Sequence, residues 1–447
     1  MAASRYDLLI ANGHAVTPGG IVPADIGVVA GRIAAIGAID RASAGEVFDA
    51  RGLHVLPGVI DTQVHFREPG LEHKEDLATG TAGALLGGVT AVFEMPNTKP
   101  STLTADDLND KLRRAKGRAW CDHAFFMGAA DENAEKLGEL EKLPGCCGVK
   151  VFMGSSTGSL LVSDDDTLLR VLKSGTRRVA IHAEDEPRLL ARKEIAEKAG
   201  KPHAHHEWRD VESAVLATRR ILSLARRAGR RIHVLHISTA DEMPLLAENK
   251  DIATVEVTPQ HLTLSAPDCY DRLGTYAQMN PPVRETRHRE GLWRAVAQGI
   301  VDVLGSDHAP HTKDEKSKPY PQSPSGMPGV QTLLPIMLEH VHQGRLSLER
   351  LVDLTSAGAA RIYGIAGKGR IAVGYDADFT LVDLNARRTI TNKWIASKTG
   401  WTPFDGMEVT GWPIAAILRG RVAMRDDTLL GAAGGEPVRF VDTFPRQ

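Results

Sequence analysis

Between residues 56 and 366 the chain alternates apolar runs of strand length with stretches of helical length. The runs are 56–65, 88–95, 121–128, 145–154, 178–184, 231–238, 253–259 and 300–311. Segments such as LTADDLNDKLRRAKG and VESAVLATRRILSLARRAG separate most of them. A strand followed by a helix, repeated along the chain, points to a parallel sheet covered by helices. Eight such units predict an α/β fold closed into a (β/α)8 TIM barrel. An open doubly wound sheet is the alternative, but the first strand-to-helix turn carries no Gly-x-Gly-x-x-Gly fingerprint.

At 447 residues the chain exceeds one ordinary core. The first 55 residues read as short strands, with turn signals in DLLIANGHAV, DIGVVAGRIAAIG and VFDARGLHVLPG. Segments 369–384 and 415–427 have the same texture. The expectation is one β-sandwich domain built from residues 1–55 and 367–447, beside a barrel over 56–366.

A net charge of −2 and a pI near 6.8 argue against nucleic acid or an anionic membrane as main partner. No apolar run approaches the roughly 20 residues that span a bilayer. The start of the chain lacks a secretory signal pattern, and four scattered cysteines make no disulfide framework. A cytoplasmic home with buried free thiols is expected.

In (β/α)8 barrels the functional groups stand at the C-terminal strand ends. The first strand ends in Asp61, Gln63, His65 and Arg67, which strand alternation places on one face. Four polar groups there are costly without partners such as a metal or an anion. The second run leads into Asn97, the fourth carries Lys150, the fifth ends in His182, the sixth in His236 and the eighth in Asp307, His308 and His311. One strand end after another thus offers an imidazole, carboxylate or amine, which predicts a metal site. Lys150 lies among Val149, Val151 and Phe152, where lost hydration lowers an amine's pKa. A neutral amine can add carbon dioxide and bridge two metals as a carbamate; equally, the lysine can snorkel or pair with a buried acid.

HFREPG (65–70), EMPNTKP (94–100), GVKVF (148–152), IHAED (181–185), HVLHIST (233–239), MNPPVRE (279–285) and GSDHAPH (305–311) together resemble the dihydroorotases of the amidohydrolase superfamily. The resemblance runs along nearly the whole chain. It implies a barrel beside a β-sandwich and one or two zinc ions. By that resemblance His65, His182 and His236 are metal ligands, Lys150 is a carbamylated bridge, and Asp307 is ligand and general base. Arg67, Asn97 and His311 would bind a substrate carboxylate, and Asn280 would line the pocket. The implied reaction is reversible cyclisation of N-carbamoyl-L-aspartate to L-dihydroorotate in pyrimidine synthesis. A homo-oligomer, and in some members a complex with aspartate transcarbamoylase, belong to the same implication.

One position departs from the family's His-x-His motif: here it reads Gln63-Val64-His65. An amide oxygen is a poorer zinc ligand than an imidazole nitrogen, so the metal held by this strand and Asp307 is expected to bind more weakly. Two other readings follow: a hydantoinase- or allantoinase-like cyclic amidohydrolase, or an inactive scaffold for aspartate transcarbamoylase. Residues 311–329, rich in Pro, Ser, Gly and Lys, read as a long loop, either a lid or plain surface. His203, His205 and His206 read as a solvated loop.

Overall fold

The computed structural model describes residues 5–155 and 160–443. Eight parallel strands form the barrel: β1 (Val59–Val64), β2 (Val89–Glu94), β3 (Asp122–Gly128), β4 (Cys146–Phe152), β5 (Val179–His182), β6 (Ile232–Val234), β7 (Ala253–Val257) and β8 (Val303–Leu304). They pair in sequence order. Just beyond β8, His308 closes the ring: it bridges to Val64, and its carbonyl accepts the His65 N–H at 2.7 Å.

Each expected run holds one barrel strand, except that 56–65 divides. Residues His54–Pro57 pair with Phe379–Thr389 in a second sheet, and β1 starts at Val59. The break falls at Gly58, whose N–H donates to the Asp378 carbonyl at 2.9 Å. A Cβ there would lie 2.2 Å from Thr90 Oγ1, so only glycine passes between the two sheets at this point.

The second sheet has nine strands, mostly antiparallel, and draws on both ends of the chain as expected. Tyr6–Thr17, Gly20–Val29 and Arg32–Gly37 lie at one side, and Phe379–Thr389, Glu408–Leu418 and Arg421–Arg425 at the other, with His54–Pro57 joining them. Leu8, Ile10, Ile26, Phe48, Phe379 and Ile417 form its core.

Helices seal the barrel's outside. The helix Val211–Ala228 starts at Asp210, whose carboxylate accepts the Ser213 N–H, and stops at left-handed Gly229. Strand alternation divides the two faces. Val149, Val151 and Ile181 join the core beneath the helices, whereas Ala180 joins the core inside the ring. Its register partner is Lys150, and that of His182 is Phe152, so Lys150 sits one level deeper than His182. Phe93, Phe126, Tyr363 and Phe440 plug the N-terminal end, with ring centroids 5.1–6.3 Å apart. Such pairs add about 0.5–1.5 kcal/mol each beyond burial. The plug leaves the polar groups to the opposite, C-terminal end.

All four cysteines are buried free thiols. Among the described residues no helix is long and apolar enough to cross a membrane.

Candidate active site

Gln63, His65, Arg67, Asn97, His182, His236, Asn280 and Asp307 line one cavity of about 340 Å³ at the C-terminal end of the barrel. Seven positions singled out from the sequence are therefore brought together with Gln63. Lys150 lies below, fully buried.

Asp61 does not join them. The pairing of β1 with β2 slips between Asp61 and Val64, which breaks strict alternation. Thr62 turns inward, donating to Glu256 Oε2 at 2.7 Å. Asp61 instead accepts the backbone N–H groups of Gln63 and Ser306 at 3.1 and 3.0 Å.

On one side of the cavity His65 Nδ1–H donates to Asn97 Oδ1 at 2.8 Å. Burial holds the ring's pKa below its usual value, so the imidazole is neutral and its Nε2 carries a lone pair. That lone pair faces Asp307 Oδ1 at 3.2 Å. Gln63 Nε2 donates to the same oxygen at 3.1 Å, while Gln63 Oε1 is buried without a partner among the described residues.

Across the cavity His182 Nε2–H donates to Glu184 Oε2 at 2.9 Å, which fixes the tautomer and frees Nδ1. Nδ1 stands 3.0 Å from His236 Nε2. Burial lowers both imidazole pKa values; for His236 the neighbouring His182 and Lys150 add to it. Glu184 is itself gripped by the Arg209 guanidinium, and its pKa lies well below the usual carboxylate range despite burial. Among the described residues Lys150 Nζ has no hydrogen-bond partner. Burial pushes its pKa down to about 7, so neutral amine is abundant at neutral pH. The snorkelling reading of Lys150 is thereby corrected: its side chain ends inside the barrel.

These donors fit a metal. Two ligands about 2.0–2.1 Å from a tetrahedral zinc lie roughly 3.3 Å apart, close to the spacings of both pairs. At His65 Nε2 and Asp307 Oδ1 two acceptors face each other, an arrangement that a cation between them would relieve. Among the described residues no three His, Cys, Asp or Glu side chains form a metal-holding group by themselves.

Three of these residues adopt left-handed backbone: Arg67 (φ 66°), His236 (φ 38°) and Asp307 (φ 46°). Such conformations cost on the order of 1–3 kcal/mol each. All three lie just past a strand end, where the chain bends to aim the side chain at the cavity.

Arg67 is buried, and burial alone drops its pKa to about 10, so it stays charged. Nε donates to the Pro310 carbonyl at 3.2 Å, and Nη2 reaches His311 Nε2 at 3.4 Å. Nη1 has no partner. His311 does not line the cavity. Its ring backs Arg67 and meets the Ser325 carbonyl at 3.0 Å and Lys74 Nζ at 3.1 Å.

The sequence-based reading of the 203–206 histidines needs correction at one residue. His203 is exposed and bonds Asp271. His205 is buried, with Nε2 3.0 Å from Asn280 Oδ1 and 3.1 Å from the Met279 carbonyl, and it steadies Asn280 in the cavity wall. The segment 311–329 is ordered over the site. Buried Lys316 Nζ donates to the carbonyls of Pro324 and Gly326 at 2.8 and 3.1 Å, and Ser325 and Gly326 line the cavity. The roles of Glu184 and Arg209 were missed. The IHAED motif held a signal: Glu184 follows His182 by two residues, the spacing that keeps a side chain on the same face.

The eight-stranded barrel and the polar cavity at its C-terminal end, with His65, His182, His236 and Asp307 around it, are the architecture of a barrel hydrolase. The chain matches the Amidohydrolase family over residues 54–423 and belongs to it. A dihydroorotase of Halobacterium salinarum is 38% identical over 419 residues, covering 90% of this chain and 94% of that protein. An allantoinase of Deinococcus radiodurans is 33% identical, covering 97% and 98%. The solved L-hydantoinase of Arthrobacter aurescens superimposes with a TM-score of 0.92 at 32% identity, covering 97% of this chain and all of that one. The resemblance to dihydroorotases is borne out, and the chain is a cyclic amide hydrolase.

Proposed function

We propose that this chain is a zinc-dependent dihydroorotase, interconverting L-dihydroorotate and N-carbamoyl-L-aspartate. The observation that carries the choice of substrate is Arg67. A buried guanidinium whose Nη1–H meets no partner among the described residues, at the cavity wall, suits a substrate carboxylate, since the planar fork binds one in paired, charge-assisted hydrogen bonds. Asn97, on the same wall, would complete the grip, with His311 holding Arg67 from behind.

His182, His236 and the Lys150 carbamate would hold zinc on one side, with His65 and Asp307 opposite. The carbamate forms when the neutral Lys150 amine adds to carbon dioxide and releases one proton. Bound zinc lowers the pKa of a water toward about 7 and polarises the scissile carbonyl. Asp307 takes the proton of the attacking water. When the ring C–N bond breaks, Asp307 delivers that proton to the departing nitrogen. Arg67 and Asn97 fix the ring so that its amide faces Asp307.

The test is hydrolysis of L-dihydroorotate by purified protein, with zinc counted in the same sample and hydantoin and allantoin as rival substrates. Arg67→Met should raise KM for dihydroorotate steeply while metal content holds. Unchanged kinetics in that variant, or faster turnover of hydantoin or allantoin, would move the reading to those amidohydrolases.

A further inference from the structure

At the opposite end of the barrel, away from the active site, a surface cavity of about 810 Å³ opens where β5 and β6 begin. Four arginines line it, Arg177, Arg178, Arg231 and Arg361, against one carboxylate, Asp442. Asp442 is already spent on Arg177, which donates Nε and Nη2 to it at 2.8 and 2.6 Å. Arg361 is balanced by Asp353 at 3.3 Å.

Arg178 and Arg231 are left over. They directly precede Val179 and Ile232, which are register partners, so the two arginines are forced side by side at the head of adjacent strands. Like charges so placed repel. Among the described residues Arg178 reaches only the carbonyls of Ile232 and Ile252, at 3.3 and 3.4 Å. Burial and the charge of Arg231 both lower its pKa. Asp302, whose charge also reaches Arg178, is held by Lys250 and the Val255 N–H. Arg231 is exposed and has no ion pair among the described residues. Tyr363, which also lines the cavity, has its hydroxyl buried without a partner among the described residues.

From this juxtaposition we infer that the cavity is a binding site for a phosphate dianion, free or as a phosphomonoester, clamped between Arg178 and Arg231. An anion between the two guanidinium groups turns their repulsion into paired charge-assisted hydrogen bonds. The site stands apart from the catalytic cavity, so occupancy there requires no contact with the substrate.

The experiment is calorimetric titration of the metal-loaded protein with inorganic phosphate, with AMP and with adenosine, repeated on Arg231→Ser. Arg231 is exposed, so its loss should leave folding and dihydroorotate turnover unchanged. The expected result is saturable binding of phosphate and AMP, none of adenosine, and at least about ten-fold weaker binding in the variant. Equal affinities for phosphate and AMP identify free phosphate as sufficient; tighter AMP identifies a phosphomonoester. Binding that survives Arg231→Ser undiminished places the anion elsewhere, at the metal side included, and overturns the inference. So does the absence of saturable binding, or binding of adenosine equal to that of AMP.

Discussion

On one side of the active-site cavity stand Lys150, His182 and His236, with Glu184 and Arg209 bracing His182 from behind. On the other stand Gln63, His65 and Asp307, with Asn97 bracing His65. The two pairs that face each other across a ligand-sized gap are alike, 3.0 Å on the first side and 3.2 Å on the second. The third groups are not. Lys150 brings a buried amine able to become an anion. Gln63 brings an amide that already spends its N–H on Asp307. A site of this kind can thus keep one strong ion position while the other weakens, because the two share little but the lysine.

The largest expected effect comes from breaking what the two sides share. Lys150→Ala removes the group proposed to complete both sets. Dihydroorotate turnover should fall on the order of 10³-fold or more, since the lost ion supplies several kcal/mol of charge stabilisation. Zinc per chain should fall with it, and a short carboxylic acid such as propionate should restore part of both. Retention of zinc in Lys150→Ala would refute the lysine's role.

Asp307→Asn breaks the second side alone. The amide cannot carry the proton from water to the leaving nitrogen, and kcat should drop about 10²-fold or more. Zinc held by His182, His236 and Lys150 should remain, so kcat and metal content separate here where they move together in Lys150→Ala. Loss of all zinc in Asp307→Asn would show that the two positions are not independent.

Glu184→Gln tests the brace of the first side. The amide oxygen still accepts the His182 Nε2–H, but the charge facing Arg209 is gone. Zinc affinity, measured by competition with a chelator, should weaken about 10- to 100-fold, with little change in turnover at saturating zinc. An unchanged affinity would reduce Glu184 to a partner of Arg209 only.

Much of this was legible in the sequence. The eight barrel strands announced themselves by apolar runs at regular spacing, and His65, His182, His236 and Asp307 by falling at their ends. The strand break at Gly58 had a local mark in Pro57-Gly58, which reads equally well as the opening of one strand from Leu56; what makes it a passage between two sheets is Thr90, far along the chain. The slip within β1 was hidden too, so alternation put Asp61 in a cavity it does not reach. His205 looked solvated among Lys201, Glu207 and Arg209. Its burial comes from Met279, Asn280, Tyr320 and Ser325, none of them near in sequence. Period and strand-end position are local properties of a chain; partners across the fold are not.

Gln63→His is the gentlest probe, because it adds rather than removes. Gln63 now offers Asp307 a hydrogen-bond donor where an imidazole nitrogen would offer the ion a ligand. Histidine is close to glutamine in reach, and the position is buried at the cavity edge, so the substitution asks little of the packing. The present chain should carry close to one zinc at limiting metal, and the variant two. Turnover should change only a few-fold, because Asp307 as base and the first-side ion are present in both. Two zinc ions in the unaltered chain would mean that Gln63 Oε1, buried without a partner, serves as the missing ligand after all. One in both would place the cause of the weaker side in His65 and Asp307 rather than in Gln63.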